Sequence, residues 1–230
     1  MSDADSQRRT IRSFVRRTGR ITPAQQKALI DLWPRYGIEF SLEVLDLDAV
    51  FGRAAERVLE IGFGNGGNLV HEAAGHPDTD YLGVEVHEPG IGHCLIGAHD
   101  LDLSNLRVIR HDAIEVLQYQ IGDASLARIV LYFPDPWPKK RHHKRRIVQA
   151  AFLQQAARKL AVAGTLQIAT DWENYAEHID AAISASADFI VSERREHTGN
   201  DEAAGRQTTK FERRGLQKGH RIWDWRLTRK

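Results

Sequence analysis

Short apolar runs alternate with amphipathic stretches along most of the chain. Residues 57–61, 80–86, 106–110, 127–133 and 165–169 are near-continuously apolar and predict strands. Between them, 66–74, 88–100, 113–119, 144–161 and 172–186 predict helices. An earlier helix is predicted from Pro23 to Asp31, with Thr22 as its cap and proline in its first turn. Strand, helix, strand in this order implies an α/β fold with a mostly parallel, doubly wound sheet covered on both faces. The tail adds strand candidates at 188–194 and 222–228, which suit an antiparallel edge, and 197–208 reads as a mobile loop. Residues 1–22 are expected to form a flexible, arginine-rich arm ahead of a single domain, 23–230.

The junction after the first strand is the most informative point. Glu60-Ile-Gly-Phe-Gly-Asn-Gly-Gly67 runs from a strand through glycines into a helix, the layout that lets backbone approach a nucleotide-like ligand. It also satisfies the GxGxxG dinucleotide template, so downstream residues must choose the ligand.

Composition narrows the classes. Apolar residues make up 42% and charged residues 27%, ordinary for a globular domain. A lone cysteine, Cys94, excludes an intrachain disulfide framework and fits a reducing compartment such as the cytoplasm. The eleven histidines show no HxxxH or HExxH spacing and no CxxC exists, so no metal is expected. No apolar run is long enough to span a bilayer, and no membrane association is expected. Net charge is only +1, yet Arg8, Arg9, Arg12, Arg16, Arg17 and Arg20 crowd the N-terminus. Lys139, Lys140, Arg141, Lys144, Arg145 and Arg146 form a second cluster, and local clusters on a near-neutral chain point to a polyanion.

In a doubly wound sheet the ligand lies beyond the carboxyl ends of the strands. There the first four strands deliver Glu60, Glu85, Asp112 and Asp135. Glu85 can accept from two ribose hydroxyls, as for a dinucleotide or for S-adenosylmethionine. Glu60, two residues before Gly62, is expected to face a ligand's cation, which favours a sulfonium or ammonium over a pyrophosphate. Asp112 offers an acceptor to an adenine amino group. A catalytically silent RNA-binding protein and an NAD-linked oxidoreductase stand beside an enzyme that uses S-adenosylmethionine.

The segment after the fourth strand is the most specific. Pro134, Pro136 and Pro138 stiffen a loop that presents Asp135 and Trp137, and the basic cluster follows directly. Cations at a helix start oppose its dipole, which favours phosphate contact over plain solvation.

At these residues the chain resembles the bacterial tRNA (guanine-N7)-methyltransferases. The matching pieces are Arg12-Ser-Phe-Val-Arg-Arg, Leu59-Glu-Ile-Gly-Phe-Gly, Pro134-Asp-Pro-Trp through Arg146, Thr170-Asp-Trp-Glu-Asn-Tyr, Thr209-Lys-Phe-Glu-Arg-Arg-Gly and Gly219-His-Arg-Ile-Trp-Asp. Asn65 and Gln207 depart from the methionine and proline frequent in that family. The resemblance implies a Rossmann-like class I fold, S-adenosyl-L-methionine as cofactor, and methylation of N7 of guanine 46 in the tRNA variable loop; another RNA substrate is the alternative. It implies cofactor contacts from Glu60, Gly62, Gly64, Glu85, Asp112 and Asp135. It implies substrate or tRNA contacts from Lys139, Arg141, Lys144, Arg145, Arg146, Asp171, Thr209, Lys210, Phe211 and Glu212. Guanine N7 carries a free lone pair, so no strong base is needed, and Asp135 is expected to stabilise the charge that arrives on the purine. Asp171 and Glu212 are candidate readers of the guanine N1–H and 2-amino edge, with a helix cap as the other role for Asp171. A monomer or homodimer is expected.

Overall fold

A computed structural model describes residue 14 and residues 19–198, 210–217 and 219–230. The chain opens with α1 (Pro23–Asp31), in which Thr22 and Gln25 form a reciprocal capping box. Then come α2 (Trp33–Tyr36), β1 (Gly37–Ile38) and α3 (Leu47–Phe51), short elements with no extended periodicity to betray them. The alternating region follows as β2 (Glu56–Ile61), α4 (Gly67–Gly75), β3 (Thr79–Val84), α5 (Glu88–Asp100), β4 (Leu106–Ile109), α6 (Ala113–Glu115) and β5 (Leu126–Tyr132). A π-turn, Val116–Gln120, extends α6. The second half holds α7 (Ala150–Lys159), β6 (Leu160–Thr170), α8 (Glu173–Ser184), β7 (Phe189–His197), α9 (Lys210–Gln217) and β8 (Ile222–Arg229).

The eight strands pair in the order β1-β4-β3-β2-β5-β6-β8-β7. β1 to β6 are mutually parallel, while β8 runs antiparallel to both neighbours. The tail supplies the expected antiparallel edge pair, with the last strand inserted between β6 and β7. The expected loop at 197–208 lies mostly outside the described residues, and so does nearly all of the expected arm.

Alternation along the central strands splits the core. Leu59, Ile61, Ile129, Leu131, Leu166 and Ile168 pack with Phe152 and Leu153 of α7 and Ile179 of α8. Val58, Tyr81 and Val130 point the other way, onto Leu69 of α4, Leu95 of α5 and Ala28 of α1. Each fully buried leucine or isoleucine contributes about 1.5–3 kcal/mol. One predicted helix starts late. Instead of running from 144, the chain makes a 3₁₀ turn at Lys140–Arg145, goes extended at Arg146 and becomes α-helical only after Gln149. The backbone there has tertiary partners, since Val148 N–H donates to the Tyr175 hydroxyl at 3.2 Å.

Candidate active site

β3 and β4 lie on one side of β2 and β5 on the other, so the winding direction reverses between β2 and β5. A crevice opens at such a point. Here it is a cleft of about 330 Å³ whose walls include Gly62, Gly64, Glu85, Asp112 and Asp135. Gly62 and Gly64 sit at φ of 69° and 61°, a region costly for any residue with a side chain. That backbone lets the turn bend under the cleft and aim the Gly64 N–H at Glu85, whose Oε2 accepts it at 2.9 Å. The other Glu85 oxygen accepts from the N–H groups of Val86 at 2.6 Å and His87 at 3.0 Å. Glu85 is thus a carboxylate fixed by backbone donors in the wall of the cleft. Asp112 caps α6, accepting from the Ile114 N–H at 3.0 Å. Asp135 is exposed, on a loop in which Phe133 and Trp137 hold φ of 51° and 47°. Bulky side chains at positive φ are strained, and such strain gathers where a site must be held in one shape.

Glu60 corrects the expectation that it faces a ligand's cation. Alternation along β2 sends Ile61 to the cleft and Glu60 away from it, into a separate small cavity beside Asn68, Glu72 and Arg128. Its carboxylate is 6% exposed and accepts from Asn68 Nδ2 at 2.9 Å. Burial pushes its pKa up to about 7 against the lowering effect of Asn68. The Glu60–Asn68 bond spans the glycine turn and braces it from behind.

The basic cluster divides. Lys139, Arg141 and Lys144 are exposed. Arg145 is half-buried, its guanidinium 3.9 Å from the centre of the Trp137 ring and donating to the Phe14 carbonyl at 3.0 Å. Arg146 departs from the expected RNA contact. It is 2% exposed, donating to the Pro136 carbonyl at 3.0 Å and to the Asn174 carbonyl and side-chain oxygens at 3.2 and 2.8 Å. Burial pulls its pKa below the usual guanidinium value, with Tyr175 opposing. Arg146 is a strut between the proline loop and the start of α8.

A second, open cavity of about 420 Å³ lies one strand further along the same edge, with Asp171, Trp172, Asn174 and His220 in its walls. Asp171 does not cap α8. The N-cap is Trp172, without a side-chain bond, and the Asp171 Oδ2 lies 3.2 Å from His220 Nδ1. Glu212 sits in the first turn of α9 but is wholly buried, 3.8 Å from His197, which is also 2.9 Å from Asp224. Of the two candidate readers, Asp171 alone lines this cavity. Thr209 and the side chains of Lys210 and Phe211 lie outside the described residues.

A family model described as "Putative methyltransferase" matches residues 54–225. The tRNA (guanine-N(7)-)-methyltransferase of Aeromonas hydrophila subsp. hydrophila is 54% identical over 218 residues, 94% of this chain and 91% of that protein. The chain belongs to the tRNA (guanine-N7)-methyltransferase family. A relative of the same name from Nitrosococcus oceani is 51% identical, covering 97% of this chain and 92% of its own. The fold is shared with the 16S rRNA methyltransferase KamB at a TM-score of 0.61 and 14% identity, over 81% of this chain and 94% of that one. A 16S rRNA (adenine(1408)-N(1))-methyltransferase from Catenulisporales acidiphilia superposes at 0.57 with 18% identity, over 80% and 92%.

The cleft and the second cavity lie side by side on one edge of the sheet. Phe133 N–H donates to the Ala169 carbonyl at 2.8 Å, so the loop carrying Asp135 and the turn carrying Asp171 leave adjacent strands side by side. Sequence reading did not single out Asn174 and His220, which line the second cavity. Their signal was present, since both lie inside the motif pieces that carried the resemblance.

Proposed function

We propose that this chain transfers the methyl group of S-adenosyl-L-methionine to N7 of guanine 46 in the variable loop of tRNA. The observation that carries the reading is the meeting of Glu85, Asp112, Asp135 and two left-handed glycines in one cleft at the winding reversal. The donor set fits this cofactor: a fixed carboxylate for ribose hydroxyls, an acceptor at Asp112 for an amino group, and no phosphate-binding cation among the residues of that wall just named. When bound, S-adenosylmethionine supplies an electrophilic methyl group. Glu85 and Asp112 orient the nucleoside portion, while Gly62 and Gly64 let backbone come close. Asp135 stabilises the positive charge that develops on the purine, a role needing no proton transfer because N7 has its own lone pair. Asp171 accepts from the guanine N1–H and 2-amino group, a pairing adenine cannot offer. Lys139, Arg141 and Lys144 contact phosphates, joined by the N-terminal arm, 1–22. These contacts offset the few kcal/mol needed to take a stacked guanine out of the tRNA core. The cytoplasm, where tRNA is modified, is the proposed location; no helix among the described residues is long and apolar enough to cross a membrane.

The test is incubation of the purified protein with unmodified tRNA and labelled methyl donor, followed by borohydride–aniline cleavage. A single break at position 46 is expected. Label incorporated without that break would move the target elsewhere, and no incorporation would remove the activity.

A further inference from the structure

We propose that His220 is a positioning and specificity-determining residue for guanine, acting through Asp171; the inference rests on the function proposed above. Asp171 and His220 are both half-open to solvent, with side chains 29% and 35% exposed, in the wall of the 420 Å³ cavity. An aspartate so exposed, at the end of a strand and outside any cap, has rotamer freedom that would blur recognition of a base edge. His220 removes that freedom. Its Nδ1–H donates to Asp171 Oδ2 at 3.2 Å. Oδ2 keeps a second lone pair and Oδ1 keeps both, enough for the two adjacent donors of guanine.

Two independent features deliver His220 to that place. The first is the end of α9. Gly219 adopts φ 75°, its N–H donates to the Leu216 carbonyl at 2.9 Å, and the His220 N–H donates to the Gly215 carbonyl at 3.0 Å. This is the paired bonding of a Schellman turn, which sets the direction of the residue after the glycine. The second is close packing of α9 on Asp171. A Cβ at Gly215 would lie 2.9 Å from Asp171 Oδ2, so a glycine there allows the helix to approach. The same helix carries Glu212 in its first turn. Recognition by Asp171 is therefore tied to the seating of α9, through His220.

The experiment uses two tRNA transcripts, one with guanosine and one with inosine at the target position. Inosine lacks the 2-amino group and keeps N1–H and N7. Wild-type protein should prefer guanosine in kcat/KM. His220→Ala should lower kcat/KM for guanosine by about tenfold, on the scale of one hydrogen bond to a charged group, and bring the guanosine-to-inosine ratio towards one. KM for S-adenosylmethionine should stay within about twofold. His220→Asn, whose amide can donate in place of Nδ1–H, should recover most of the ratio. An unchanged ratio in His220→Ala, or an asparagine variant no better than alanine, overturns the proposal. Should the alanine variant lose its thermal transition, His220→Asn and Asp171→Asn carry the test: the first must keep the ratio and the second must lose it. Wild-type protein inactive on the guanosine transcript would instead count against the proposed function itself.

Discussion

Replacing Glu60 with glutamine should change how stability depends on pH. In the unfolded chain the carboxyl ionises near its ordinary value of 4.5; in the folded protein burial raises this to about 7. Between these values the folded state holds one proton more than the unfolded state, so stability falls as pH rises. The contribution is fully present below about 4.5 and gone above about 7. At ~1.36 kcal/mol per pH unit it amounts to ~3 kcal/mol across the window. From pH 5.5 to pH 8 the wild type should lose ~2 kcal/mol through this group alone. For a domain of this size that is ~4–8 °C in Tm. Glutamine keeps an oxygen for Asn68 and carries no charge. Thermal scans of both proteins at pH 5.5, 6.5 and 8 should show the Tm of Glu60→Gln rising relative to wild type by that amount. Comparing two proteins at each pH cancels the titration of every other group. Parallel curves would mean that Glu60 is ionised throughout, paired with Arg128, and the burial argument would fail.

Asp135→Ala should lower the single-turnover methylation rate by roughly tenfold to a thousandfold; an unchanged rate would take Asp135 out of the chemistry. Changing Lys139, Arg141 and Lys144 together to alanine should flatten the log–log salt dependence of tRNA binding by about 2–3 units, whereas Arg146→Ala should leave that slope alone. Arg146→Ala should instead cost about 2 kcal/mol of stability, because the charge-assisted bonds from the buried guanidinium to Pro136 and Asn174 are lost. The reverse pattern in chemical denaturation and filter binding would restore Arg146 as an RNA contact. Gly64→Ala forces a left-handed alanine at roughly 1–2 kcal/mol, which calorimetry should read as roughly 5–30-fold weaker S-adenosylmethionine binding. Equal affinity would show that the turn relaxes freely.

The central strands were legible because each buries both faces and so reads as an apolar run. The glycine turn was legible because left-handed backbone at 62 and 64 leaves few other residues possible. Glu85, Asp112 and Asp135 followed from strand ends alone. Glu60 did not, because a shift of one residue along a strand exchanges its faces and spacing from a glycine does not set that parity. Arg146 looked like its basic neighbours; what turns it inward is Asn174, 28 residues on, which only the tertiary fold brings near. The late start of α7 has the same origin, in Tyr175 capturing the Val148 N–H. The meeting of His220 and Asp171 depends on how α9 ends and where it packs, and local pattern encodes only the first.

The insertion of β8 has a consequence for folding. On the side away from β5, strand β6 pairs along Thr165–Thr170 with Trp223–Thr228, and β7 pairs with the same segment from the other side. They come long after β6 in sequence, so this pairing closes a long loop. Until that segment docks, β6 and β7 keep unsatisfied backbone edges, which are templates for pairing with other chains. Loss of this one segment would therefore leave a product that aggregates rather than a slightly weakened catalyst.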